Sequence, residues 1–250
     1  MPTLKHKQLT HSLTPMPSTS ENSFGARLRR AQDLAAYIAG FANYSPPRPE
    51  ETLDEFSNLL QKITNTNANV TTHLQNYNTA VTNRYNTFRQ DDLSLFKLLA
   101  PIRSVVLAQY GKESTEFKQI DTITAKIRAG KLLKTPATET TPETKTSQSE
   151  QSYGSSTQFF SDLVSTLQTF RDYKPSKAEL QLPQIQTFQT TLNTLNNEVA
   201  THYQKIKEAR QTRQDIYAEL SDRVARIKAY VKGNYGTQSS EYNLIKGLKI

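Results

Sequence analysis

From Gln184 to Lys232 the chain runs without a single glycine or proline. Along that stretch and the residues just before it, Leu182, Ile185, Leu192, Leu195, Val199, Ile206, Ala209, Ile216, Leu220, Ile227 and Val231 return at steps of three and four residues or their sums. That period lays them along one stripe of an α-helix. A single helix of this length would reach roughly 70 Å at 1.5 Å per residue. Such a rod cannot bury its stripe on itself, so it demands other rods alongside it. The expectation is an all-α fold, an elongated bundle of long helices with heptad patterning.

The same stripe is written earlier in the chain. Leu53, Phe56, Leu60, Ile63, Val70, Leu74, Tyr77, Val81 and Phe88 keep the phase, which continues through Leu95, Leu98 and Ile102, with polar interruptions at Asn67 and Arg84. Aligning the two stretches shows a repeat. At a spacing of 129, Asp33-Leu34 faces Asp162-Leu163, Phe41 faces Phe170, Pro46 faces Pro175, Val70 faces Val199 and His73 faces His202; at 125, Leu95 faces Leu220 and Ile102 faces Ile227. A few residues missing from the second copy, between about positions 75 and 95, reconcile the two spacings. The predicted organisation is a disordered tail over 1–22, a helical repeat over 23–130 starting at an N-cap Ser23, a Thr/Ser/Glu/Pro-rich linker over 131–155 and a second repeat over 156–250. Composition drives the tail and linker assignments, because neither segment holds enough large apolar side chains to offset its ordering entropy.

Long, unbroken helices are expected in both copies, in preference to a turn near Arg89–Asp92 that would fold the first copy into a hairpin. Pro101 argues against an undisturbed helix in the first copy, since an interior proline removes a hydrogen bond and kinks the backbone. The run ITNTNANVTTHLQNYNTAVTN is rich in mediocre helix formers, so its helicity must come from burying the seam. A fragment of residues 50–90 alone is therefore expected to be largely unfolded, and a strongly helical circular dichroism spectrum of that fragment would refute the reasoning.

Two corners have nearly the same wording. QYGKESTEF at 109–117 and NYGTQSSEY at 234–242 share aromatic-Gly-x-x-Ser-x-Glu-aromatic. Gly111 and Gly236 fall where a left-handed helix cap is wanted. Ser114 and Ser239 stand as N-caps of the next helix, with Glu116 and Glu241 near the positive end of its dipole. Tyr110 with Phe117, and Tyr235 with Tyr242, are spaced to pack across each bend. Lys232, Tyr235, Gly236, Ser239, Glu241 and Tyr242 together resemble the terminal motif of a family of uncharacterised bacterial helical proteins. The resemblance covers mainly the last third of each copy, implies bacterial origin, and carries no activity; the first copy departs from it with Leu107 in place of the lysine.

The remaining chemistry is defined by what the chain lacks. Cysteine is absent and the 8 glycines form no phosphate-cradling loop. His73 and His202 stand alone on their helices without the i+4 partner of a metal site. No catalytic residue, metal site or cofactor is expected. The net charge of +8 is spread over both repeats and is densest at Lys205, Lys207, Arg210, Arg213, Arg223 and Arg226, with acidic residues interleaved. These expectations converge on a non-enzymatic structural or protein-interaction protein that scaffolds or self-assembles. The alternative is nucleic-acid binding through the basic face of the second repeat. No segment reads as a membrane span or classical signal peptide, and the expected location is cytoplasmic.

Overall fold

The computed structural model describes residues 19–129 and 148–250, with side chains placed for 24–129 and 153–250. Most of the segments read as tail and linker lie outside the described residues. Within them the chain is all-helical, with no strand. The helices are α1 (Thr19–Ala39), α2 (Leu53–Tyr85), α3 (Leu95–Tyr110), α4 (Thr115–Ala129), α5 (Gln148–Thr169), α6 (Leu182–Tyr235) and the short α7 (Ser240–Ile245).

Helix α6 carries the glycine- and proline-free stretch as one element of 54 residues, about 80 Å long. Helix α2 lies antiparallel along it: Glu51 just before α2 meets Arg226, Asn67 meets Tyr217, and Tyr77 meets Tyr203. Three apolar clusters follow the seam. At one end Leu34 and Ile38 of α1, Phe56 and Ile63 of α2, Leu220, Ile227 and Val231 of α6, and Ile245 of α7 pack together. At the other, Leu95 and Ile102 of α3, Phe117 and Ile120 of α4, Phe160 and Leu163 of α5, and Ile185 and Leu192 of α6 do the same. Between them Tyr77, Ala80 and Val81 meet Val199 and Ile206. Each such side chain, fully buried, stabilises the fold by about 1.5–3 kcal/mol before entropy is set against it. On the outer face of α2, the hydroxyls of Thr64, Thr66, Thr71 and Thr72 donate to carbonyls four residues back at 2.8–3.2 Å, so these poor helix formers satisfy themselves locally.

Three expectations need correction. The stretch from Leu53 to Tyr110 is not one long helix. Helix α2 passes into a π turn at Asn86–Gln90, the chain bends through Asp91–Ser94, and α3 then packs on α4 instead of folding back along α2. This is the stretch where the sequence spacing of matching residues falls from 129 to 125. The π turn closes on Asp91, whose N–H reaches the Asn86 carbonyl at 3.0 Å. The joint is held by buried Phe88, by the Arg89 guanidinium 4.0 Å from the centre of the Phe96 ring, and by Lys97 Nζ donating to the Gln90 carbonyl at 2.8 Å. Second, residues 148–155, assigned to the linker, form the first turns of α5, because Tyr153 is 1% exposed and anchors them to the core. Third, α1 begins at Thr19, inside the segment assigned to the tail, and Ser23 lies within the helix instead of capping it.

The loops that end α1 and α5 are alike. Asn43 and Asp172 take positive φ of 60° and 66°, a conformation these two residue types tolerate best after glycine. The following tyrosines close each loop: Tyr44 donates to the Glu51 carbonyl at 2.8 Å and Tyr173 to the Leu180 carbonyl at 3.0 Å. Burial raises both phenols, and that of Tyr173 is pushed from 10.0 up to about 12. An ionisation delayed by folding contributes stability that is complete below the unfolded value and is lost as pH rises through the folded one. Alkaline unfolding followed by circular dichroism is therefore expected to set in above pH 10 and progress toward about pH 12, with Tyr173→Phe shallower over that window. A Tyr173→Phe profile superimposable on the parent would contradict this.

Candidate interaction surfaces

Both corners form, with a geometry the sequence reading did not anticipate. Gly111 has φ 88° and ψ 162°, and Gly236 has φ 99° and ψ 158°. Positive φ was expected, but the extended ψ takes both residues out of the left-handed helical region and into one that is essentially open to glycine alone. The reason lies in the next residues: the chain must leave the helix extended to reach the serine cap. Gly111 N–H bonds the Leu107 carbonyl at 2.9 Å and Gly236 N–H the Lys232 carbonyl at 3.2 Å. Ser114 Oγ accepts from Phe117 N–H and Ser239 Oγ from Tyr242 N–H, each at 3.1 Å, while donating back to the glycine carbonyl. Glu116 and Glu241 occupy the first turns of α4 and α7. Ser239→Ala is expected to lower stability by about 1 kcal/mol in thermal unfolding; no shift would remove the capping role.

The corner tyrosines also reach further along the fold. The Tyr110 ring meets Phe170 at 5.6 Å and its hydroxyl donates to the Arg171 carbonyl. Tyr235 meets Phe41 at 5.8 Å and donates to the Ala42 carbonyl. Phe117 is buried beneath the Arg103 guanidinium, which also pairs with Asp121. Each corner tyrosine thus latches the loop after a distant helix, a long-range contact without a local signal. After Gly247 the terminal residues dock on the chain's own core: Leu248 and Ile250 join the first end cluster, and Arg30 and Lys228 donate to the carbonyls of Lys249 and Leu248.

The six cations of the alternative face do not form one free surface. Arg213 is 3% exposed, its guanidinium 4.3 Å from the centre of the Phe24 ring. Arg223 pairs with Glu219 and donates to the carbonyls of Glu50 and Glu55. Arg226 is bound by Glu51 and Asp222. Arg210 is half-buried, which leaves Lys205 and Lys207 as the two exposed members. Hydrogen bonding to Glu51 and then to Asp222 raises the Arg226 pKa.

Arg84, a polar interruption of the stripe, and Arg213, a member of the basic face, both cover aromatic rings. The Arg84 guanidinium lies 4.0 Å from the Tyr153 ring centre, and that ring meets Phe88 edge-on at 4.9 Å. At the other end Arg213 covers Phe24, which meets Tyr217 at 4.7 Å. In the mid-seam, His73 and His202 are half-buried, and the aromatic pair crossing there is Tyr77 with Tyr203 at 5.9 Å. Among the described residues no group of three or more histidine or acidic side chains converges to hold a metal. The concavities are open grooves such as the one along Thr187, Thr190, Thr191, Thr194, Leu195 and Glu198. The Leu53–Tyr110 stretch contains an 18-residue window of mean hydropathy 1.2, one-third buried, although the bend at Asp91–Ser94 interrupts the helix within that stretch.

Comparison with known proteins finds no matching family model, no similar curated protein and no similar solved structure.

Proposed function

We propose that the chain is a non-enzymatic structural rod, two copies of one helical module closed on each other, which presents its helix faces and two end bundles to a protein partner or to further copies of itself. The observation that carries this reading is the recurrence of contacts at the repeat spacing. Arg84, Tyr153 and Phe88 form one set; Arg213, Phe24 and Tyr217 form the other, with every member displaced by 129. Tyr44 with Glu51 and Tyr173 with Leu180 repeat it, as do Tyr235 with Phe41 and Tyr110 with Phe170. Each end bundle takes its opening helices from one copy and its closing helices from the other. A rod of this kind separates two surfaces by a length that α6 sets.

Scattering from the purified chain is expected to give a particle with its longest dimension on the order of 80 Å or more. Photo-crosslinkers at the exposed Leu93, Tyr203 and Leu244, installed one at a time in the native host, are expected to trap a discrete protein or a second copy. A compact scattering profile together with no crosslinked product at any of the three positions would overturn the reading. Nucleic-acid binding is the weaker alternative, since Arg213, Arg223 and Arg226 are engaged within the fold; it requires retention on DNA or RNA that falls steeply with salt.

A further inference from the structure

At one buried pair of corresponding positions the two ends of the seam have unlike chemistry. At one end Glu51, only 2% exposed, receives Arg226, with Arg48 3.8 Å away on its exposed side. The repeat spacing places Leu180 where Glu51 stands and Pro101 where Arg226 stands. The correspondence holds in space as well as in sequence, because the carbonyls of Glu51 and Leu180 accept the equivalent tyrosine hydroxyls. Leu180 is also 2% exposed, in the apolar cluster with Leu98 and Ile102, and its 3₁₀ turn packs on α3.

We infer that these unlike contacts make the seam selective, so that each copy accepts the other copy as its partner and rejects its own kind. The inference rests on the duplicated-module reading above. Two first copies would set the buried Glu51 carboxylate against Pro101, taking away Arg226 and leaving it only the exposed Arg48 3.8 Å away. Two second copies would set Leu180 against Arg226, taking away one of the arginine's two carboxylates and pressing its charge into an apolar site. Removing one partner of a buried charge is penalised, whereas either matched pair is tolerated, and discrimination built from such mismatches is how related interfaces avoid wrong pairing. The helices flanking the connection, α4 and α5, pack together in one bundle, so a short tether holds the right partner at high effective concentration.

The test uses the full chain with a protease site placed within residues 131–147. After cleavage, the two pieces are expected to stay together in native mass spectrometry at the mass of the intact chain. Pieces that separate as folded monomers would defeat the duplicated-module reading itself. The cleaved protein is then denatured and refolded, and the composition of the pairs is read. The parent sequence is expected to return mixed pairs only. Glu51→Leu with Arg226→Leu, which makes both ends apolar, is expected to raise like-with-like pairs toward the statistical value of about one-half. Leu180→Glu with Pro101→Arg, which makes both ends ionic, provides an independent second route to the same result, and circular dichroism of each uncut variant confirms folding. Random re-pairing of the parent sequence, or strictly mixed pairs from both folded variants, would overturn the inference while leaving the module reading intact.

Discussion

Truncating Tyr217 to alanine is expected to lower the stability of the chain by about 3–5 kcal/mol, the range for removing a large buried ring. The ring is 1% exposed, lies 4.7 Å from Phe24 and sits beneath the Arg27 guanidinium at 4.9 Å. Its hydroxyl donates to the Phe24 carbonyl at 2.9 Å and accepts from Asn67 Nδ2 at 3.0 Å. The truncation therefore loosens three helices at once: α1 through Phe24, α2 through Asn67, and α6 itself. Tyr217→Phe separates the contributions, because it keeps the ring and removes only the hydroxyl; its cost is expected to be about 1 kcal/mol, from two part-buried hydrogen bonds being lost. Urea unfolding midpoints measure both. A Tyr217→Ala chain within about 1 kcal/mol of the parent would show that the α1–α2–α6 junction does not hold the fold.

Replacing either corner glycine by alanine is expected to cost about 1–3 kcal/mol, the strain of holding a side-chain-bearing residue in that part of backbone space. No atom lies within 4 Å of a Cβ built at Gly111 or Gly236, so crowding contributes nothing and the whole effect belongs to the backbone. The two corners close different end clusters and share no partners, so the double variant should lose nearly the sum. Asparagine supplies the discriminating control. It tolerates the left-handed helical region but not an extended ψ, so Gly236→Asn is expected to be as damaging as Gly236→Ala in thermal unfolding. A benign Gly236→Asn would return the corner to an ordinary left-handed cap.

The all-helical character and the course of the seam were legible because apolar side chains at steps of three and four leave few other solutions. The continuous α6 was legible because nothing along it breaks a helix. The corners announced themselves through a glycine followed by a serine, although φ and ψ of the glycine are set jointly by both neighbours and only the sign of φ followed from residue type. The joint at Asn86–Ser94 was half legible: the change in repeat spacing reveals surplus residues, but local sequence does not say whether they loop out, reverse the chain or widen a helix. The starts of α1 and α5 were missed because Ser, Gln and Glu around them read as linker. Phe24 docks under Arg213 and Tyr153 under Arg84, and the spacing of 129 shared by those two aromatics was the available clue. The burial of Arg84 and Arg213 and the latching of Tyr110 and Tyr235 depend on tertiary contacts with no local trace.

The path through α2 and α3 is interrupted while α6 is continuous, so the two long courses of the molecule differ in backbone continuity. A continuous backbone ladder resists curvature along its whole length, whereas a π turn followed by a bend concentrates it at one place. Along α6 the ladder is unbroken from Leu182 to Tyr235, whereas the path through α2 and α3 changes direction at Asn86–Ser94, where Phe88, Arg89 and Lys97 pin the bend.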